Sequence, residues 1–186
     1  MRPERDAELE NEVYENESFR GLDLSGLRTT RCTFRACDFT LARLNGSEHV
    51  GTDFANSTFE SANLFGARLA ECRLVGASFA GATLTGLSIE GGDWSYALLR
   101  GQDLTSLDLR RLRLREADLS EADLTDTDLR GADLIRARLH NATLAGADLR
   151  EAIVDGVDLA AARIAEARLD LAGVVQVARG LGAVVE

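Results

Sequence analysis

Two histidines, three cysteines and a large stock of carboxylates are the residues here best equipped for chemistry. His49 and His140 with Cys32, Cys37 and Cys72 carry the donor atoms of a zinc site. Their placement argues against one. The cysteines fall on a single small-residue position of a repeat, where Cys packs as a slightly larger Ala. His49 falls on an inward position and His140 on an outward one. Cys32 and Cys72 stand two turns of that repeat apart, about 10 Å at the ~4.8 Å spacing of paired strands and beyond disulfide reach. Pairs such as Asp123/Asp126 have the makings of a general acid and base. Catalytic carboxylates need a cleft that displaces their pKa values, however, and a filled convex rod offers none. The chain holds no Ser–His–Asp motif, phosphate loop or nucleotide signature, and Gly91-Gly92 reads as a turn. The expectation is no catalytic residue, no metal and no cofactor, with the carboxylates acting through their combined field.

That field is acidic. The 186 residues carry 31 Asp and Glu against 21 bases, all of them Arg, for a net charge of -10. Gripping DNA or an anionic membrane directly would require a basic stripe instead. No apolar run approaches the ~18 residues of a membrane span. The first 17 residues are charged and lack the apolar core of a secretion signal. Three cysteines make a poor disulfide framework, so a reduced, cytoplasmic protein is expected.

The elements that must display these charges follow from a period of five. Every fifth residue from Tyr14 to Leu169 gives 32 positions in one register, apolar at all but Thr29 and His49. With this position called i, position i−2 is mostly Ala, Ser, Thr, Cys or Gly, as at Ala62, Ala117 and Ala132. Departures from that rule include Leu22, Leu27, Leu87, Leu107, Leu112, Val157 and Gln102. Helices place apolar residues at spacings of three and four, and strands at two. Two inward residues in five, with Gly, Asn, Asp and Ser between them, suit a chain that bends after each unit. One turn of such a coil buries nothing; stacked turns bury a continuous column. Four units per turn places Phe19, Phe39, Phe59 and Phe79 in one column, with Tyr14, Phe34, Phe54 and Trp94 in the next. The 32 units then make about eight turns, roughly 35–40 Å of rod.

This pattern, as in Ala117-Asp118-Leu119-Ser120-Glu121, resembles the pentapeptide repeat family over about residues 12–171. Leu27 to Phe34, Asn45 to Phe54, Asp103 to Leu134 and the ending from Ala167 are similar to its mycobacterial fluoroquinolone-resistance members. Plasmid-borne quinolone-resistance members carry projecting loops, and none is visible here. The resemblance implies an all-β solenoid, a right-handed quadrilateral β-helix with a short C-terminal α-helical cap. It further implies a rod-shaped homodimer that imitates DNA, binds DNA gyrase, a type II topoisomerase, and protects it from fluoroquinolones. A structural scaffold with another protein partner is the alternative.

Three segments are expected. Residues 1–11 form a charged lead-in, 12–171 the solenoid, and 172–186 a helix and tail for capping and dimerisation. Asp170 is placed to cap a helix and Gly180 or Gly182 to stop it. Leu171, Val174, Val175, Ala178 and Leu181 lie at helical spacing on one apolar face, and Val184 and Val185 add apolar surface beyond it. The face either caps the last coil or pairs with its twin. The outer surface through Leu109, Leu129 and Leu149 balances its charges, as in Asp108/Arg110. The surface through Leu104, Leu124 and Leu144 is acidic, and the adjoining one adds Asp118, Glu121 and Asp158. The corner around Asp103, Asp118, Glu121, Asp123 and Asp126 is therefore the expected partner-binding surface. Asp at i−1 also belongs to the repeat itself, where it can bond backbone N–H groups, so the expectation concerns the face rather than one carboxylate.

Overall fold

The computed structural model describes residues 3–185. Met1 and Arg2 of the expected lead-in and Glu186 of the tail lie outside the described residues. The chain winds as a parallel β-solenoid with one C-terminal helix. Its short strands are β1 (Glu8–Glu10), β2 (Val13–Glu15), β3 (Arg28–Thr30), β4 (Thr33–Arg35), β5 (Glu48–Val50), β6 (Arg68–Ala70) and β7 (Ser88–Glu90). They form a five-stranded sheet, β1-β3-β5-β6-β7, and a two-stranded sheet, β2-β4. Every pairing is parallel and steps by 20 residues, from Glu8↔Arg28 to Asp148↔Arg168. One column of such pairs climbs from Val13↔Thr33 to Asp133↔Ile153. Four faces therefore make one turn, named here by their inward residues as the Leu104, Leu109, Leu114 and Leu119 faces.

The corners explain the period. From Asp6 to Glu166, every fifth residue except Ala161 has a positive φ, between 50° and 73°. This left-handed conformation turns the chain through each corner. Glycine adopts it freely and other residues at a cost of roughly 1–2 kcal/mol, which the packed column beneath must offset. Ala161 instead belongs to a 3₁₀ turn, Leu159–Ala161, capped by Asp158. Backbone bonds then run from coil to coil along the axis, as in Phe19 N to Asp38 O at 2.7 Å and Thr33 N to Glu12 O at 2.8 Å.

Inward residues at i and i−2 fill the interior. Phe19, Phe39 and Phe59 each stack on the next ring of their column at 4.9–5.1 Å, ending on Phe79. That spacing is close to the ~4.8 Å separation of paired strands. Tyr14, Phe34 and Phe54 stack beside them and meet them edge to face. Trp94 occupies the same column as Phe54, yet Leu74 lies between them, and its ring stacks on Phe79 at 5.2 Å. The two inward polar residues support each other: His49 Nδ1 lies 2.7 Å from Thr29 Oγ1, and His49 Nε2 lies 3.0 Å from Ser47 Oγ.

Pairing begins earlier than residue 12. Asp6 N bonds Ser25 O, and Glu8–Glu10 pair with Arg28–Thr30. The expected lead-in thus already supplies a strand. Leu9 is its inward residue, and Glu8 and Glu10 occupy outward positions where charge is tolerated.

Helix α1 (Leu171–Gly180) closes the other end. Asp170 caps it by accepting from Gly173 N, and also accepts from Glu151 N at 2.8 Å, tying the helix to the last coil. The surface that α1 turns inward is not the one read from helical spacing. Gly173 is buried against Leu169, where a Cβ would come within 3.0 Å, and Val177 packs on the core. Leu171, Val174 and Leu181 are 79%, 51% and 74% exposed. Val175 and Ala178 are half-buried, and Val184 and Val185 are exposed.

Candidate functional site

An Asp at i−1 points outward from its face, and its own backbone positions it. One carboxylate oxygen accepts from the N–H two residues on: Asp103 from Thr105 at 3.1 Å, Asp118 from Ser120 at 3.1 Å, Asp123 from Thr125 at 3.0 Å, Asp158 from Ala160 at 3.1 Å. Thr105 and Thr125 also donate their hydroxyls to the same oxygen. The local role of the Asp is therefore real. It uses Oδ1 and leaves Oδ2 to whatever lies outside the rod.

What lies outside differs from face to face. On the Leu109 face, Arg110, Arg130 and Arg150 each reach the second oxygen of Asp108, Asp128 and Asp148 at 2.6 Å. Longer contacts of 3.6 Å and 3.9 Å link successive coils, Arg110 to Asp128 and Arg130 to Asp148. Alternating charges so run up the rod as a neutral ladder. The hydrogen bond from Arg150 holds the Asp148 carboxyl down to about 2, and Asp108 and Asp128 are lowered by their own arginines. The Leu114 face is similarly compensated, with Asp53 between Arg35 and Arg73, and Asp133 paired to Arg115.

The Leu104 face differs. Asp103 and Asp123 are direct partners in adjacent coils, both are exposed, and neither has an ion pair among the described residues. Two uncompensated carboxylates thus stand one coil apart. The other expected residues do not all join them. Glu121 occupies the corner toward the Leu119 face but is bound by Arg100 at 2.6 Å. Asp118 lies 4.0 Å from Arg138. Asp126 sits at the opposite edge of the Leu104 face, beside Gly146 and next to the Asp128–Arg130 ladder, because a corner residue follows i by two. It too has no ion pair among the described residues. Asp158 is remote, capping the 3₁₀ turn beneath α1, where a Cβ on Gly180 would meet it at 2.6 Å. The single corner expected from the sequence therefore resolves into an acidic strip, Asp103–Asp123–Asp126, with Asp118 and Glu121 screened beside it.

Acidic residues outside that set also belong to the surface. Glu12, Glu15 and Glu17 are exposed on the first coil. His49 and the three cysteines serve packing, and His140 is exposed. Burial pushes the His49 ring down to about 3 and the Cys72 thiol up to about 12. Cys72 donates to the carbonyls of His49 and Ala70, and Cys32 and Cys37 are raised by burial as well. No cluster of three metal-binding side chains occurs among the described residues, and no helix there is long and apolar enough to cross a membrane.

Known proteins with this geometry can be set beside it. The family profile described as pentapeptide repeats matches in eight copies, over residues 37–64, 62–93, 88–120 and 117–156. Among solved structures, a trypsin-treated variant of QnrB1, a plasmid-mediated fluoroquinolone resistance protein, aligns with a TM-score of 0.71. It is 22% identical, over 98% of this chain and 91% of that one. Full-length QnrB1 aligns at 0.68 and 21% identity, over 96% and 92% of the two chains. At such identities the likeness extends to the fold alone. A search of curated protein sequences returns no match.

Proposed function

Because the chain belongs to the pentapeptide repeat family, whose solenoid displays side chains at fixed rises along a stiff rod, we propose that it is a binding protein that imitates DNA. Its partner is DNA gyrase, which it inhibits and protects against fluoroquinolones in the cytoplasm. The carrying observation is the uncompensated pair Asp103 and Asp123 on adjacent coils, with unpaired Asp126 at the far edge of the same face, on a chain of net charge -10. Duplex DNA offers a groove built for it one negative charge per ~1.7 Å of axis. A narrow rod with uncompensated carboxylates one coil apart and a net negative charge would enter the same cationic groove, with fast, salt-sensitive association. The role of QnrB1, which shares the fold, as a plasmid-mediated fluoroquinolone resistance protein is consistent with this reading.

The C-terminal helix supplies the second half of the proposal, a homodimer. Capping uses Gly173 and Val177 and leaves Leu171, Val174, Leu181, Val184 and Val185 uncovered. A contiguous apolar surface of this kind marks an interface, and a second copy joined there gives a doubled rod. The neutral Asp108–Arg150 ladder favours the alternative, a scaffold for a different protein partner, since much of the surface carries no net field.

Supercoiling by gyrase, with and without a fluoroquinolone, tests the proposal. The protein is expected to inhibit supercoiling and reduce drug-stabilised cleavage. Asp103→Arg with Asp123→Arg should abolish both effects while the dimer persists in light scattering. Full inhibition by the double variant rejects the acidic strip, and an inert wild-type protein favours the scaffold.

A further inference from the structure

Away from the two ends of the stack, where the 3₁₀ turn at Leu159–Ala161 interrupts the ladder, pairing between successive coils of the described residues lapses at one place, and there only on two of the four faces. Along the Leu104 and Leu109 faces, residues 61–71 bond to residues 80–90, from Ser61 N to Ala80 O through Glu71 N to Glu90 O. Residues 101–111 bond in the same way to 120–130, from Gly101 N to Ser120 O through Arg111 N to Arg130 O. Between 81–91 and 100–110, among the described residues, no backbone hydrogen bond forms. The Thr83–Asp103 and Ser88–Asp108 pairs that the 20-residue step calls for are absent. The Leu114 and Leu119 faces stay joined at the same height, through Asp93↔Arg113 and Leu98↔Asp118.

The interior registers the same opening. Inward apolar residues are sealed along the stack except near its two ends and here, where Ala82, Ile89 and Leu107 are only half-buried. A cavity of about 470 Å³ lies over the gap, with Ile89, Glu90 and Gly91 on one lip and Asp108, Arg110 and Arg111 on the other.

The sequence supplies a cause. Position i−2 fits a small side chain, and a single Leu there borrows room from small neighbours above and below, as Leu27 does between Ala7 and Ser47. Leu87 and Leu107 follow one another in the same slot column, so neither has a small neighbour on the shared side. Gln102 stands over Ala82 in the adjoining slot. Close-packed interiors do not absorb such volume without moving backbone. The coils separate on the two faces that hold these residues.

We propose that the rod consists of two stiff segments hinged along the Leu114 and Leu119 faces, and that it bends by opening and closing the corner between the Leu104 and Leu109 faces. Bending there changes the distance between Thr83 and Asp103, on the face that carries the uncompensated carboxylates. The hinge thus sets the curvature that this face presents to a partner. Its physical basis is independent of which partner that is.

Amide hydrogen exchange and paired spin labels on the full-length protein test the hinge without a partner. The amides of Leu84, Gly86, Ile89 and Gly91 should exchange about tenfold or more faster than those of Leu64, Gly66, Leu104 and Ser106, which bond across the neighbouring coils. In a Leu87→Ala, Leu107→Ala variant they should slow toward the latter. Labels at Phe65→Cys and Ala145→Cys span the open side, and labels at Glu60→Cys and His140→Cys span the joined side. The open-side distance distribution should be about twice as wide, and the native cysteines are buried from the label. Protected wild-type amides, or equal widths for the two pairs, would overturn the hinge. Exchange unchanged in the double alanine variant would overturn the cause assigned to Leu87 and Leu107.

Discussion

His49 gives the solenoid a dependence on pH that can be worked out in advance. Its ring is enclosed between Thr29 and Ser47 and stacked edge-on against Phe54 at 5.1 Å. Burial lowers its pKa from 6.5 to about 3. The folded value is the depressed one, so between those limits the unfolded chain takes up a proton that the folded chain refuses. Stability from this residue is fully present above pH 6.5, declines as pH falls, and is gone below about 3. Each unit is worth about 1.4 kcal/mol, so acidification from 6.5 to 4.5 should remove about 2–3 kcal/mol. Carboxylates lowered by arginines, such as Asp108, Asp128 and Asp148, stay largely ionised in both states over that window, because unfolded Asp titrates near 3.9. Urea unfolding followed by Trp94 fluorescence at several pH values from 7 to 4.5 provides the measurement. A Thr29→Leu, Ser47→Ala, His49→Leu variant restores apolar inward residues at positions 29 and 49, removes the hydroxyl that served the ring, and should flatten the slope. A wild-type stability that does not change over the window, or an equal slope in the variant, would refute the assignment.

Further outcomes follow from single positions. Gly92→Ala should cost about 3 kcal/mol or more, since a Cβ there would lie 2.3 Å from the Cys72 carbonyl oxygen, whereas Gly101→Ala, with open space around it, should cost about 1 kcal/mol. Thermal unfolding of the two variants compares them directly. Native protein at pH 8 should leave Ellman's reagent unreacted at Cys32, Cys37 and Cys72, and react at all three once unfolded in guanidinium. Leu171→Glu with Leu181→Glu should convert a dimer to a monomer in light scattering with a melting temperature shifted by only a few degrees, because both side chains are already exposed.

The register of five was legible because it is a steric requirement at every corner. One residue must adopt positive φ, one slot must stay small and one side chain must fill the column, so composition at three positions betrays the turn. The column assignments followed from the 20-residue step, and the stacked rings of Phe19, Phe39, Phe59 and Phe79 occupy the places that step dictates. What the pattern obscured has a common origin: it depends on neighbours 20 or more residues away. Glu8 and Glu10 read as a frayed terminus until Leu9 between them is set over Thr29. Asp126 reads as a neighbour of Asp123 in sequence, yet the corner carries it to the other edge of the face. Helical spacing finds the apolar surface of α1, but its docking side is chosen by Gly173, whose missing side chain lets the helix approach Leu169. Leu87 and Leu107 each break the small-residue rule in isolation, as Leu27 does without consequence. Only their succession in one column deprives both of room. A repeat protein is therefore best read twice, once along the chain for its corners and once along the axis for what each side chain finds above and below it.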